Sequence, residues 1–204
     1  MDASLVFAQF LSGLSRGMML FLIASGLSLI FGVMNILNFA HATLWLVGAY
    51  FCYTFWFLMQ DYGFGLWLSI PLAALVLAAF GWVIEVVLIR RVYKRELPEQ
   101  LLLTYAMVLI LGDLIKIVWG VEDKFIERPP LVEGPVFIFG MPFDSYFIFV
   151  ILVGLAVAVG LWWFLQKTRF GHIVRAAVFS REMVSALGIP IPRIYTGVFA
   201  LGIF

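Results

Sequence analysis

Five apolar runs, each long enough to cross a lipid bilayer, constrain this chain more than anything else in it. They cover residues 17–34, 42–58, 66–89, 101–120 and 146–166. About 20 mostly apolar residues of helix span the roughly 30 Å of a bilayer's hydrocarbon. In lipid, only helices or closed barrels satisfy every backbone polar group. A sixth apolar run begins near Tyr195 and stops at Phe204. Ten residues of helix cover about 15 Å, so the chain is expected to end inside a span and to be a piece of a longer product. Apolar residues make up 64% and charged residues 12%, against about 45–50% and about 25% in soluble domains. The fold class expected is all-α: a polytopic membrane helical bundle, about five complete spans plus the start of a sixth, forming one transmembrane domain over residues 1–204. Met1 to Ser15 lack a basic start, so no removable signal peptide is read there.

Charge placement orients the spans. Residues 90–100 carry Arg90, Arg91, Lys94 and Arg95 against Glu96 and Glu99, and residues 167–193 carry Lys167, Arg169, Arg175, Arg181 and Arg193 against Glu182. Between them, residues 121–145 hold Lys124 and Arg128 against Glu122, Asp123, Glu127, Glu133 and Asp144, and residues 59–65 hold only Asp61. Lys and Arg excess marks cytoplasmic loops. Segments 90–100 and 167–193 are therefore expected inside, 59–65 and 121–145 outside, and the N-terminus outside by parity. Residues 5–16 fit a surface helix, and the Asn35–His41 break fits a re-entrant segment; both leave that parity open. In 121–145, the prolines and the alternation around Val136-Phe137-Ile138-Phe139 predict an ordered external cap with a short hairpin.

The first break joins Gly26-Leu-Ser-Leu-Ile-Phe-Gly32 to Asn35-Ile-Leu-Asn38-Phe-Ala-His41. Transporters break helices at membrane depth, where freed backbone and polar side chains line a substrate route. Asn35, Asn38 and His41 are spaced by three, which a helix would bring near one stripe. A tight turn whose Asn and His cap helix ends explains the same residues, and the two roles are compatible. Glu85, inside a span and ahead of Arg91, needs a partner or a watery cavity and is a further pathway candidate. Asp113 and Lys116 are spaced to pair on one helix face, and Arg16 is placed to snorkel to the interface. Gly13-x-x-x-Gly17 fits a helix-packing motif, but glycine is common in such chains.

Catalytic signatures are missing. His41 and His172 are far apart, Cys52 is the single cysteine, and no metal-ligand set is spaced for an ion. Gly160 to Lys167-Thr168 approaches a phosphate loop, yet Gln166 occupies the place of the second glycine. No cofactor is expected on this chain; ATP chemistry would have to come from another. An intramembrane enzyme centred on His41 and a passive small-solute channel are the competing readings.

The stretch 167–193 carries the most specific expectation. Ser180 is a good N-cap, Gly188 a good residue past a helix end, and Pro190 blocks continuation. They bracket a helix of about two turns, Arg181 to Leu187, too short to hold itself in water. A short basic, partly apolar helix between spans suits a contact with a cytoplasmic motor; a basic loop on anionic headgroups is the plainer alternative.

Arg169-Phe-Gly171 with Arg175-Ala176, then Arg181-Glu182 and Ala186-Leu-Gly188-Ile189, resembles the coupling segment of branched-chain amino-acid ABC transporter permeases. Gly26 to Asn35, Asn38-Phe-Ala-His41, Gly48-Ala-Tyr50 and Glu85 ahead of Arg90-Arg91 resemble the same family in the same order, in particular the first of its two paired permeases. The resemblance implies a multi-pass subunit of an importer in a bacterial inner membrane, not itself an enzyme. It implies a second permease subunit, two ATP-binding subunits that hold ATP and Mg, and a periplasmic substrate-binding protein, with membrane lipid around and no nucleic acid. It places Arg169, Phe170, Gly171, Arg175, Ser180, Arg181, Glu182, Leu187 and Gly188 at the ATPase interface, and Asn35, Asn38, His41 and Glu85 near the route. Ala42 stands where the family usually has Gly, and Phe179-Ser180 where it has Gln-Asp, which removes a carboxylate from the coupling region. The substrate is open among branched-chain amino acids, urea, amides and similar solutes.

Overall fold

The computed structural model describes residues 3–62, 65–127, 132, 134–138 and 141–204. Met1, Arg128, Pro129, Pro130, Glu133 and Phe139, weighed above, lie outside the described residues. In chain order the elements are α1 (Ala3–Met34), α2 (His41–Met59), α3 (Gly65–Val87), a 3-10 turn (Ile89–Val92), α4 (Leu97–Trp119), β1 (Pro135–Ile138), β2 (Met141–Asp144), α5 (Ser145–Lys167), α6 (Arg169–Phe179), α7 (Arg181–Ala186) and α8 (Ile191–Ile203). Among the described residues, five helices, α1 to α5, are long and apolar enough to cross a membrane, and α8 is a shorter apolar helix.

Local chemistry sets most boundaries. Pro98 in the first turn of α4 needs no backbone donor there, and Gly120 ends the helix at φ 85°, its N–H donating to the Lys116 carbonyl. Asp144 caps α5 by accepting from the Tyr146 N–H at 3.0 Å. Thr168 breaks α5 from α6, and its hydroxyl accepts from the Gly171 N–H at 3.0 Å. The α6 helix was not expected from the sequence. Its pattern was there to be read, because Gly171, Val174 and Ala177 turn a narrow buried face toward the bundle.

The first span differs from its expected limits. Residues 5–16 do not form a separate surface helix; α1 is one continuous helix of 32 residues, about 48 Å long. No proline interrupts it, and its extra turns find a partner. Phe7 meets Phe143 of β2 edge-on, with ring centroids 6.2 Å apart. The expected hairpin is present, with β1 and β2 antiparallel and Val136 opposite Phe143.

The bundle is organised around α8. Val198 and Phe199 are fully buried, and α8 packs against both α1 and α3. Antiparallel α2 and α3 lie side by side, with Gly48 set against Leu77. Trp119 of α4 closes on α2 through Tyr50 and Phe51, and its indole N–H donates to Thr54 at 2.8 Å. The large exposed apolar side chains, such as Leu20, Leu75, Leu102 and Leu152, stand on the outer faces of the long helices, where lipid is their solvent. The two basic segments gather at one end, since Tyr93, Tyr195 and Arg181 stack together there. The α2–α3 turn, the hairpin and the contact of Trp67 with Phe149 mark the other, acidic end.

Candidate functional site

The polar groups picked out in the sequence divide into three places. The first is the break between α1 and α2. Asn35 reverses the chain in the left-handed region at φ 56°, which Asn tolerates better than most residues. Residues 35–40 are therefore not helical, and the single stripe expected for Asn35, Asn38 and His41 does not form. Asn35 is exposed, whereas Asn38 and His41 are buried. The Asn38 side-chain oxygen accepts from the Ala40 N–H at 3.1 Å, closing a small turn that starts α2. His41 Nε2 lies 3.0 Å from the Ile23 carbonyl, deep in α1. A carbonyl only accepts, so this contact places a proton on Nε2 and leaves Nδ1 as the free ring nitrogen. Asn38 Nδ2 and His41 Nδ1 are buried with no hydrogen-bond partner among the described residues. A donor and an acceptor are thus left open three residues apart at membrane depth. Replacing Asn38 with alanine removes the turn bond and orphans the Ala40 N–H; the expected loss is about 1–2 kcal/mol, read as a lower unfolding midpoint in detergent.

The second place is the basic end of α3. The Glu85 carboxylate is fully buried. It accepts from Arg90 Nε at 3.2 Å, Arg90 Nη2 at 3.1 Å, Thr196 Oγ1 at 2.7 Å and the Tyr93 hydroxyl. Arg90 Nη2 also donates to Thr196 Oγ1 at 2.8 Å. One acidic group therefore ties α3, the 3-10 turn and α8 together, with every bond charge-assisted. Burial, and then the hydrogen bond to Glu85, hold the Tyr93 phenol above its ordinary pKa, so it remains a donor. The partner that Glu85 needed is present, and its oxygens are occupied. Asp113 and Lys116 pair at 3.1 Å on an exposed face of α4, as their spacing suggests.

The third place is α6 and α7. Phe170 packs over Gly197 of α8, where a Cβ would lie 2.8 Å from the ring. Gly171 sits against the Phe164 and Leu165 carbonyls, with no room for a side chain. Arg175 reaches back to the Gln166 side-chain oxygen at 2.5 Å. These three hold α6 to the bundle. Ser180 caps α7, accepting from the Met183 N–H at 3.2 Å, and Gly188 turns the chain out of it at φ 80°. Arg169 and Glu182 are exposed. Arg181 reaches inward: its guanidinium lies 5.6 Å from the Tyr195 ring centre, and Nη2 is 3.5 Å from the Val33 carbonyl. Large apolar side chains also face outward here, with Phe179 92%, Met183 66% and Leu187 74% exposed. Phe179 and Met183 were missed in the sequence, although their hydrophobicity beside a cap and a helix stop was the available signal.

A cavity of about 410 Å³ opens toward the acidic end, lined by residues that include Cys52, Trp67, Glu127, Tyr146 and Phe149. Its lining includes nothing from α1 or α8, so it is separate from the Asn38–His41 pair. Among the described residues no group of three His, Cys, Asp or Glu side chains is arranged to hold a metal ion.

The family described as branched-chain amino acid transport system / permease component matches residues 9–203. The chain belongs to this family. It is 30% identical to the high-affinity branched-chain amino acid transport system permease protein BraD of Pseudomonas aeruginosa, over 95% of this chain and 66% of that protein. It is 26% identical to the corresponding LivH protein of Escherichia coli K12, over the same shares of the two chains. A probable branched-chain amino acid transport permease protein LivH of Methanocaldococcus jannaschii is 29% identical, over 86% of this chain and 56% of that one. The chain thus spans 66% of the length of the first two relatives. No solved structure matches it. With five helices able to span a bilayer, this member of the permease family is a multi-pass membrane protein.

Proposed function

We propose that this chain supplies part of the membrane pathway of an ATP-driven importer, and that α7 is where a separate ATP-binding subunit docks. The observation that carries the docking is a set of exposed apolar side chains at the basic end: Met183 on the six-residue α7, with Phe179 at the end of α6 and Leu187 just past α7 on either side of it. Positive-inside charge puts that end in the cytoplasm, where an exposed apolar cluster calls for a protein partner. Arg169 and Glu182 flank the cluster as its charged rim. Phe170, Gly171, Arg175, Ser180 and Gly188 build the platform that presents it. ATP and Mg would be held by two such partner subunits, the second half of the pathway by a second permease subunit, and the solute would be delivered by an extracytoplasmic binding protein at a bacterial inner membrane. The names of the relatives support branched-chain amino acids or similar small polar solutes as cargo.

Asn38 and His41 are placed on the route, because an open donor and an open acceptor at membrane depth suit transient contact with a polar solute. Asn35 lies at its basic-end edge. Glu85, with its oxygens engaged, is assigned to the joint beside the route. The permease contributes different contacts in two states rather than bond chemistry. Flux without ATP would mark a passive channel instead.

The docking is tested by changing Phe179 and Leu187 to serine in the permease expressed with its partner subunits. Co-purification of the ATP-binding subunit is expected to fall about tenfold, as for loss of a central apolar anchor. Undiminished co-purification with normal transport would remove α7 from the interface.

A further inference from the structure

Two side chains bridge α7 to the buried joint at Glu85, and the covalent route between the same elements contains a turn. Leaving α7, the chain bends at Gly188 with φ 80° before Pro190 opens α8. A push on α7 along that route meets a residue whose backbone resists change less than any other. Side chains take a shorter path. The Arg181 guanidinium lies 5.6 Å from the centre of the Tyr195 ring. Tyr195 is buried to 4% exposure and meets Tyr93 edge-on, with ring centres 5.1 Å apart. The Tyr93 hydroxyl donates to Glu85, which also accepts from Thr196 at 2.7 Å and Arg90 at 3.1 Å. At its other side Arg181 reaches the Val33 carbonyl at the last turn of α1, just before the break that carries Asn38 and His41.

We propose that Arg181 and Tyr195 are positioning residues that transmit the placement of α7 to α8 and to the end of α1, bypassing the Gly188 turn. The proposal rests on the reading of α7 as the docking helix. Its physical basis is that α7, at six residues, has no stability of its own. Its position relative to the bundle is set by the contacts it makes, and Arg181 touches two different helices at once. Tyr195 and Thr196 are adjacent on α8, so a shift of the ring is felt directly at the Thr196–Glu85 bond. Each link is close-packed or hydrogen-bonded, and such contacts shift between discrete arrangements rather than stretching.

The test uses the permease assembled with its ATP-binding subunits in lipid nanodiscs. Three quantities are measured: co-purification, ATPase activity without solute, and the stimulation of ATPase by solute-loaded binding protein. Arg181→Gln and Tyr195→Leu are expected to assemble with the ATP-binding subunits and to lose stimulation, taken as the ratio to each variant's own unstimulated rate, by about fivefold. Arg181→Lys keeps a cation over the ring and Tyr195→Phe keeps the ring itself, so both are expected to retain stimulation within about twofold. Full stimulation in Arg181→Gln overturns the proposal, since this exposed side chain is removable without disturbing the core. So does a loss in Arg181→Gln that appears only as failed assembly, because Arg181 would then act in docking. Equal losses in Tyr195→Phe and Tyr195→Leu overturn the role of the ring. Failure of the docking reading is seen separately, as intact assembly when Phe179 and Leu187 are changed to serine.

Discussion

Replacing Glu85 with leucine is expected to destabilise the bundle by about 2–3 kcal/mol, measured as a lower thermal unfolding midpoint in detergent. The substitution removes the acceptor shared by Arg90, Tyr93 and Thr196. Breaking a fully buried ion pair costs about 3–5 kcal/mol, but Arg90 keeps 38% of its side-chain surface and can swing to lipid headgroups, which lowers the figure. Thr196 can turn its one hydroxyl proton to the Pro192 carbonyl, 2.8 Å away. The Tyr93 hydroxyl, in a half-buried position, loses its acceptor and accounts for about 1 kcal/mol or more. Glu85→Gln retains one carbonyl oxygen for these donors and is expected to lose about half as much, near 1–2 kcal/mol. Adding Arg90→Met to Glu85→Leu is expected to recover part of the loss, because it removes the charge left without a partner. A Glu85→Leu protein that melts with the parent chain would show that this cluster does not hold α3 to α8.

Span positions and the grouping of the two basic segments were legible because hydropathy and charge are local properties of sequence. The start of α1 was not: Leu5 to Ser15 carries the same apolar character as the rest, and only the contact of Phe7 with Phe143, far along the chain, gives the extension a purpose. Spacing by three suggested a stripe of Asn35, Asn38 and His41, but the inference assumed a helix. A positive φ at Asn35 ends that assumption in a single residue. The need of Glu85 for a partner was visible, and Arg90 was near in sequence. Thr196 was not, since it lies 111 residues away. The resemblance placed Arg181 at the ATPase interface, and no local spacing showed that its guanidinium also lies over a ring of α8. Tyr195, across the Gly188 turn, draws it inward.

Gly26→Ala is expected to destabilise the protein by about 3 kcal/mol, because its Cβ would make the shortest contact found at any of the described glycines. A Cβ at Gly26 would stand 1.9 Å from the Gly202 carbonyl oxygen. Backbone cannot rotate aside as a side chain can, so α1 and α8 would have to separate by more than about 1 Å to reach ordinary contact. That separation loosens Ile30 and Phe199, both fully buried, and shifts the helix that carries Tyr195 and Thr196. Gly202→Ala meets Ile30 Cγ1 at 2.7 Å and the Gly26 carbonyl oxygen at 2.9 Å, and its expected cost is lower, about 2 kcal/mol, because part of the clash is with a side chain. Gly13 and Gly17 provide the control. They form the motif visible in sequence, yet a Cβ at either meets nothing within 4 Å among the described residues. Alanine there is expected to be neutral or to gain up to about 1 kcal/mol from helix propensity. The double variant Gly26→Ala with Gly202→Ala is expected to lose less than the sum of the two, because one separation of α1 from α8 relieves both clashes. Full additivity would mean that the two glycines act at independent places, and the close crossing of α1 and α8 would then not be what holds this end of the bundle.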